Sequence, residues 1–241
     1  MSTNLLTLEG VHTHIGAYHI LHGVDLVVPR GQLTLLLGRN GAGKTTTLRT
    51  IMGLWQASQG RITFGGEDIT ALHTPQIAQK NIAYVPENMG IFADLTVKEN
   101  MLLAARSART ASQMDEQRLQ WIFGLFPAVQ KFWNHPAGKL SGGQKQMLAV
   151  SRAIVEPRDL LIVDEPSKGL APAIIQNMID AFQQLKASGV TILLVEQNIH
   201  FARQLGDTVA VMDNGRVVHA GAMQALAEDE ALQQSLLGLA L

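Results

Sequence analysis

The chain has 241 residues, long for one domain and short for two, so a single elaborated domain spanning 1–241 is the first expectation. Hydrophobic residues make up 46% of it, enough for a sizeable core, and a formal net charge of −1 lacks the basic excess of a dedicated nucleic-acid binder. Cysteine is absent, which excludes disulfide and thiolate chemistry and fits the cytosol. The longest apolar runs, "LTLLLG" and "TILLVE", have strand length, far short of the about 20 residues that span a membrane. The opening "MSTNLLTLEG" carries neither a basic n-region nor a secretory apolar run, so a soluble cytosolic protein is expected, touching a membrane only through a partner.

Along the chain, the first third alternates like strands: residues 5–11, 19–28, the buried run 33–37 that ends at a glycine loop, and later "RITFGGEDI" at 61–69. Helical patterning takes over after Leu95. Thr96 and Glu99 form a capping box for residues 97–108, and Leu119, Ile122, Phe123 and Phe126 line one face of a second helix, with 109–115 expected as a flexible join. From Leu160 the order is strand ("LLIVDEP"), helix opened by Pro172 and closed near Gly189, then strand ("VTILLVE"), which predicts a parallel sheet. A terminal hairpin, "DTVAVMDNGRVVHAG", turns on Asn214 and Gly215, a type I′ pair.

The chemistry begins at "GRNGAGKTT": Gly38, Arg39, Asn40, Gly41, Ala42, Gly43, Lys44, Thr45 and Thr46 spell a phosphate-binding loop between a strand and a helix. Its backbone amides can ring phosphates, Lys44 brings a point charge to the β and γ groups, and the Thr45 hydroxyl can ligate Mg²⁺. "LLIVDEP" places Asp164 at the carboxyl end of a buried strand, where it can hold the Mg²⁺ shell, and Glu165 beside it can accept a proton from the attacking water. Together the two motifs predict hydrolysis of a nucleoside triphosphate.

A second anion-grade helix start lies about a hundred residues on: Leu140, Ser141, Gly142, Gly143 and Gln144, with Ser141 as N-cap and the glycines letting a bound group approach the backbone. It need not reach the same nucleotide. If two chains pack head to tail, this start closes over the nucleotide that the other chain holds.

The ordered set of phosphate loop, "LSGGQ" and "LLIVDEP" resembles the ATP-binding subunits of ABC transporters over essentially the whole chain. Within that family "YVPENMGIFADLTVKEN", "DEPSKGLAP" and "LLVEQN" look like the branched-chain amino acid importer, or LivF-like, type. The resemblance implies an α/β P-loop NTPase of the ABC ATPase type, with a parallel core sheet, an antiparallel β subdomain and an α-helical signature subdomain. The division expected is about 1–86, 87–155 for the helical part, and 156–241. It further implies ATP and Mg²⁺ as cofactors and a second ATP-binding subunit as partner, a heterodimer before a homodimer. Integral membrane permease subunits, and indirectly a periplasmic solute-binding protein, complete the assembly at the cytoplasmic face of a bacterial inner membrane, with no nucleic acid. The cargo implied is branched-chain amino acids, with urea, amides or aromatic acids as alternatives. A soluble ATPase acting on nucleic acid or ribosomes, or a regulatory nucleotide sensor, are the alternative functions.

Four positions depart from the general family pattern. Glu87 stands where a glutamine usually reaches toward Mg²⁺ and water, Gln197 where a histidine usually contacts the γ-phosphate, and Ala171 where an aspartate follows the second motif. Glu87 is expected either to bind Mg²⁺ or to repel the γ-phosphate, like charges about 4 Å apart repelling by about 4 kcal/mol at an effective dielectric of 20. Gln197 donates a hydrogen bond but carries no positive charge. The site is therefore expected to bind well and turn over poorly. The aromatic position that usually stacks on adenine is Ile15, and Tyr18, three residues on, is the substitute candidate. His12, His14, His19 and His22 lack the cysteine or carboxylate that would complete a metal pattern. Trp121 and Trp133 are read as packing residues, and Arg106 and Arg109 as a solvated face.

Overall fold

The computed structural model describes residues 3–238, so the outermost residues of the expected domain, 1–2 and 239–241, lie outside it. The first half contributes β1 (Asn4–Ile15), β2 (Tyr18–Pro29), β3 (Leu33–Gly38), α1 (Lys44–Ile51), β4 (Ala57–Phe64), β5 (Glu67–Asp68), α2 (Thr74–Ala78), β6 (Ile82–Val85) and α3 (Val97–Ala104). Then follow α4 (Glu116–Leu125), α5 (Pro127–Lys131), α6 (Gly142–Ala153), β7 (Leu160–Asp164), α7 (Pro172–Ala187), β8 (Thr191–Glu196), α8 (Ile199–Arg203), β9 (Thr208–Asp213), β10 (Arg216–Ala222), α9 (Met223–Glu228) and α10 (Glu230–Leu237).

Two sheets result. β2, β1, β4 and β5 form an antiparallel sheet, and the second has the order β10-β9-β3-β8-β7-β6, parallel except for β10. The central strands look uniformly apolar because each has two buried faces. Leu33, Leu35 and Leu37 pack into the core beneath the helices, while Leu36 between them enters the core shared with the antiparallel sheet. Leu161 and Val163 of β7 divide from Leu160 and Ile162 in the same way, as Ile192 and Leu194 of β8 do from Leu193 and Val195. One period-2 alternation thus glues the parallel sheet to both layers.

The predicted caps form. The Thr96 hydroxyl accepts from Glu99 N, and the Glu99 carboxylate accepts from Thr96 N at 2.7 Å. Asp115, which ends the expected join, caps α4 by accepting from Arg118 N, and residues 111–113 form a 3₁₀ turn inside that join. The terminal turn carries Asn214 at φ +45° and Gly215 at φ +73°, as a type I′ turn requires. "RITFGGEDI" is a hairpin rather than one strand, because Gly65 and Gly66 adopt φ of +60° and +89° and fold β5 back on β4. Trp121 and Trp133 are half-buried against the helical core, Trp133 edge-on to Phe123. Arg106 is exposed, as the solvated reading expects, and it also pairs with Glu156 at 3.2 Å and donates to the Ala78 carbonyl. The four histidines cluster along the β1–β2 hairpin, with His12 and His14 stacked on His19 and His22 tilted against it at about 4 Å, ring to ring.

Candidate active site

The phosphate loop joins β3 to α1 and is held from behind by the β9–β10 turn, where Gly215 N donates to the Ala42 carbonyl. Two glycines are fixed by sterics. A Cβ on Gly38 would lie 2.4 Å from the Met212 carbonyl oxygen, and Gly43, the N-cap of α1, has φ +104° with a would-be Cβ 3.0 Å from Leu21. No side chain caps α1, so its first N–H groups are left for a ligand.

Lys44 is 5% exposed. Its ammonium donates to the carbonyls of Gly38 (2.9 Å) and Arg39 (3.1 Å) and stands 3.6 Å from Glu165 Oε1. A cleft of about 380 Å³ opens over it, lined by Asn40, Gly41, Gly43, Thr45, Thr46 and Ile20 on one side and Glu87, Glu165 and Lys168 on the other.

The parallel pairing of β7 with β8 supplies the opposite wall. Glu165 N donates to Val195 O, which pins Glu165 at φ +49°, a left-handed backbone that costs a non-glycine residue about 1 kcal/mol. Its carboxylate accepts from Gln197 Nε2, and the same nitrogen donates to Asn40 Oδ1 at 2.7 Å. Gln197 therefore links the candidate base to the phosphate loop.

Asp164 ends β7 with both carboxylate oxygens buried and in no well-formed hydrogen bond among the described residues, although the Thr45 hydroxyl lies close enough to act on it. Burial pushes its pKa up to about 6, the Thr45 hydroxyl and Lys44 offsetting part of that effect and Glu165 and Glu87 adding to it. An orphaned carboxylate beside a threonine hydroxyl fits a divalent cation. Among the described residues no three acidic or histidine side chains are arranged to hold an ion alone, so phosphate oxygens would complete its shell, as Mg²⁺ prefers.

Two residues that motif reading missed complete the site. Lys168 bridges Glu87 Oε1 at 2.6 Å and Glu165 Oε2 at 3.5 Å, and Glu87 followed by Glu165 holds its ammonium above the ordinary lysine range. Glu87 is thus paired with a cation, which neither expectation for it, binding Mg²⁺ or repelling the γ-phosphate, took into account. Glu196, 2% exposed, accepts from Ser167 N and Oγ and from Gln197 N, fastening the segment after β7 to the segment after β8. The only sequence signal for it is a glutamate closing an apolar strand.

The structure separates the other expected residues. Residues 140–144 do not line the cleft. Ser141 caps α6, accepting from Gln144 N while the Gln144 side chain accepts from Ser141 N. Ser141 and Gly142 are exposed and Leu140 is buried. Gly143 is buried, and a Cβ there would lie 2.7 Å from Ile174 Cγ2, so its bare backbone is what lets α6 pack against α7. Gly142 has nothing within 4 Å and keeps the open surface. Ile15 and Tyr18 form the last cross-strand pair of the β1–β2 hairpin, off the cleft lining, with Tyr18 76% exposed. Ala171 is exposed as the N-cap of α7 and makes no side-chain cap bond.

The sequence profile of the ABC transporter family matches residues 21–168. The high-affinity branched-chain amino acid transport ATP-binding protein BraG of Pseudomonas aeruginosa is 39% identical over 236 residues, covering 97% of this chain and 100% of that protein. The probable branched-chain amino acid transport ATP-binding protein LivF of Archaeoglobus fulgidus is 35% identical, covering 92% of this chain and 93% of its own. Among solved structures, an ATP-binding cassette of an ABC transporter in its ADP conformation superposes with a TM-score of 0.81 at 25% identity, covering 99% of this chain and 100% of that one.

Proposed function

This chain belongs to the ABC transporter family as an ATP-binding subunit, and on that premise we propose that it powers an importer by binding MgATP in the 38–46 cleft and hydrolysing it. The observation that carries the reading is the convergence of Lys44, Thr45, Asp164 and Glu165 at the uncapped start of α1.

The residues divide the work. The N–H groups of the loop and α1 receive phosphate oxygens, and Lys44 exchanges the Gly38 and Arg39 carbonyls for the β and γ groups. Thr45 and Asp164 would hold Mg²⁺, which supplies charge neutralisation on the phosphates. Glu165, oriented by Gln197 and Lys168, takes the proton of the attacking water. Asn40 and Gln197 fix the distance between loop and base. Tyr18, with its ring exposed beside Ile15, stacks on the base.

Ser141 and Gly142 lie outside the cleft on an exposed helix start, which supports their action in trans on the nucleotide of a second ATP-binding subunit. The chain acts as one domain whose helical part, about 87–155, passes closure to a permease. Among the described residues no helix is long and apolar enough to cross a membrane. On the strength of relatives that are transport ATP-binding proteins, the chain sits peripherally at the cytoplasmic face, bound to membrane subunits. Branched-chain amino acids are the cargo class, on the strength of the relatives' names.

Glu165→Gln tests the catalytic assignment. ATP binding is retained and hydrolysis falls by at least about a hundredfold, the scale of a lost general base. Hydrolysis at the wild-type rate contradicts it.

A further inference from the structure

Lys168 is the one cation of the cleft that the nucleotide motifs leave unexplained. Its backbone is fixed, because Ser167 before it is held by Glu196 and Lys168 N donates to Glu165 O. Its side chain is 58% exposed and spans Glu87 and Glu165, both on the cleft wall opposite the loop.

The charges give the cleft a direction. Glu165 meets Lys44 through Oε1 and Lys168 through Oε2, so its carboxylate stands between the two ammonium groups. The loop lysine serves the β and γ phosphates and Glu165 faces the water that attacks the γ group, so on that reading Lys168, paired with Glu165, belongs to the end that a diphosphate leaves empty. At that end Glu87 by itself would oppose the incoming charge.

We propose that Lys168 neutralises Glu87 at the γ end of the cleft and thereby sets this site's preference for a nucleoside triphosphate over a diphosphate. The inference rests on the reading of the cleft as a nucleotide site. It makes Glu87 and Lys168 a compensating pair, so the two residues have meaning together that neither has alone.

The test is equilibrium titration with ATP and with ADP, without Mg²⁺ so that no turnover intervenes, on the wild type and on Lys168→Met, Lys168→Arg, Glu87→Gln and the Glu87→Gln/Lys168→Met double variant. Lys168→Met weakens ATP about fivefold, the scale of one exposed charge pair, and leaves ADP unchanged. Lys168→Arg keeps the wild-type ratio of ATP to ADP affinity, and the double variant regains it. Equal loss of ATP and ADP affinity in Lys168→Met overturns the inference, as does a double variant no better than Lys168→Met. Either result leaves the nucleotide site itself standing. Binding of neither nucleotide by the wild-type chain overturns both.

Discussion

The carboxylate of Glu196, at the end of β8, accepts the backbone N–H and the hydroxyl of Ser167, in the segment after the neighbouring strand β7, each at 2.9 Å. It also accepts from Gln197 N at 3.2 Å, so one buried acid sets both the segment that carries Lys168 and the residue that touches Glu165.

Glu196→Ala should therefore destabilise the protein by about 3 kcal/mol, since it strips several buried donors of their acceptor. Ser167→Ala, which removes one hydroxyl bond, should cost about 1 kcal/mol. Urea unfolding measures both, and equal effects would mean that Glu196 does no more than pair with that hydroxyl.

Asp164 predicts a pH dependence. Its folded pKa of about 6 lies above the ordinary 3.8, so the native state holds this proton more tightly than the unfolded chain does. The resulting stability is full below about pH 4 and is lost as pH rises through about 6, amounting to about 3 kcal/mol. Nucleotide-free Asp164→Asn should therefore exceed the wild type in stability at pH 7.5 and converge with it only below about pH 4. A difference independent of pH contradicts the assignment. For the same reason a divalent cation must displace the proton, and its affinity should fall below pH 6.

The two glycines that open α6 should separate. Gly143→Ala forces a methyl against Ile174 and should cost about 1–3 kcal/mol. Gly142→Ala meets open space and should leave folding stability unchanged. Thermal unfolding of the pair checks this, and a reversed order would mean that α6 and α7 pack differently.

Much of this was legible in the sequence, for physical reasons. The loop at 38–46, the Thr96 and Ser141 caps, the Asn214–Gly215 turn and the apolar strands β3, β7 and β8 are local patterns whose chemistry depends on neighbours a few residues away. Glu196 and Lys168 were not legible. Ser167 and Glu196 are 29 residues apart and Glu87 and Lys168 are 81 apart, and only the order β8-β7-β6 brings these pairs together. The packing role of Gly143 was not legible either, because it depends on Ile174 of α7, which no local pattern places beside it.

Ser141→Arg should leave ATP affinity of the isolated chain unchanged and block closure in trans. In the Glu165→Gln background, light scattering should register ATP-dependent assembly, with itself or with the second ATP-binding subunit, that Ser141→Arg abolishes. Weakened ATP binding by the isolated Ser141→Arg chain would place the serine at its own nucleotide instead.

The central claim, that the cleft over Lys44 is the nucleotide site, is tested most directly by calorimetric titration of ATP into the wild type and Lys44→Ala. The account predicts one ATP per wild-type chain and an affinity at least about a hundredfold weaker in Lys44→Ala, the scale of a lost charge-assisted contact to phosphate. Equal affinity in the two proteins would contradict it.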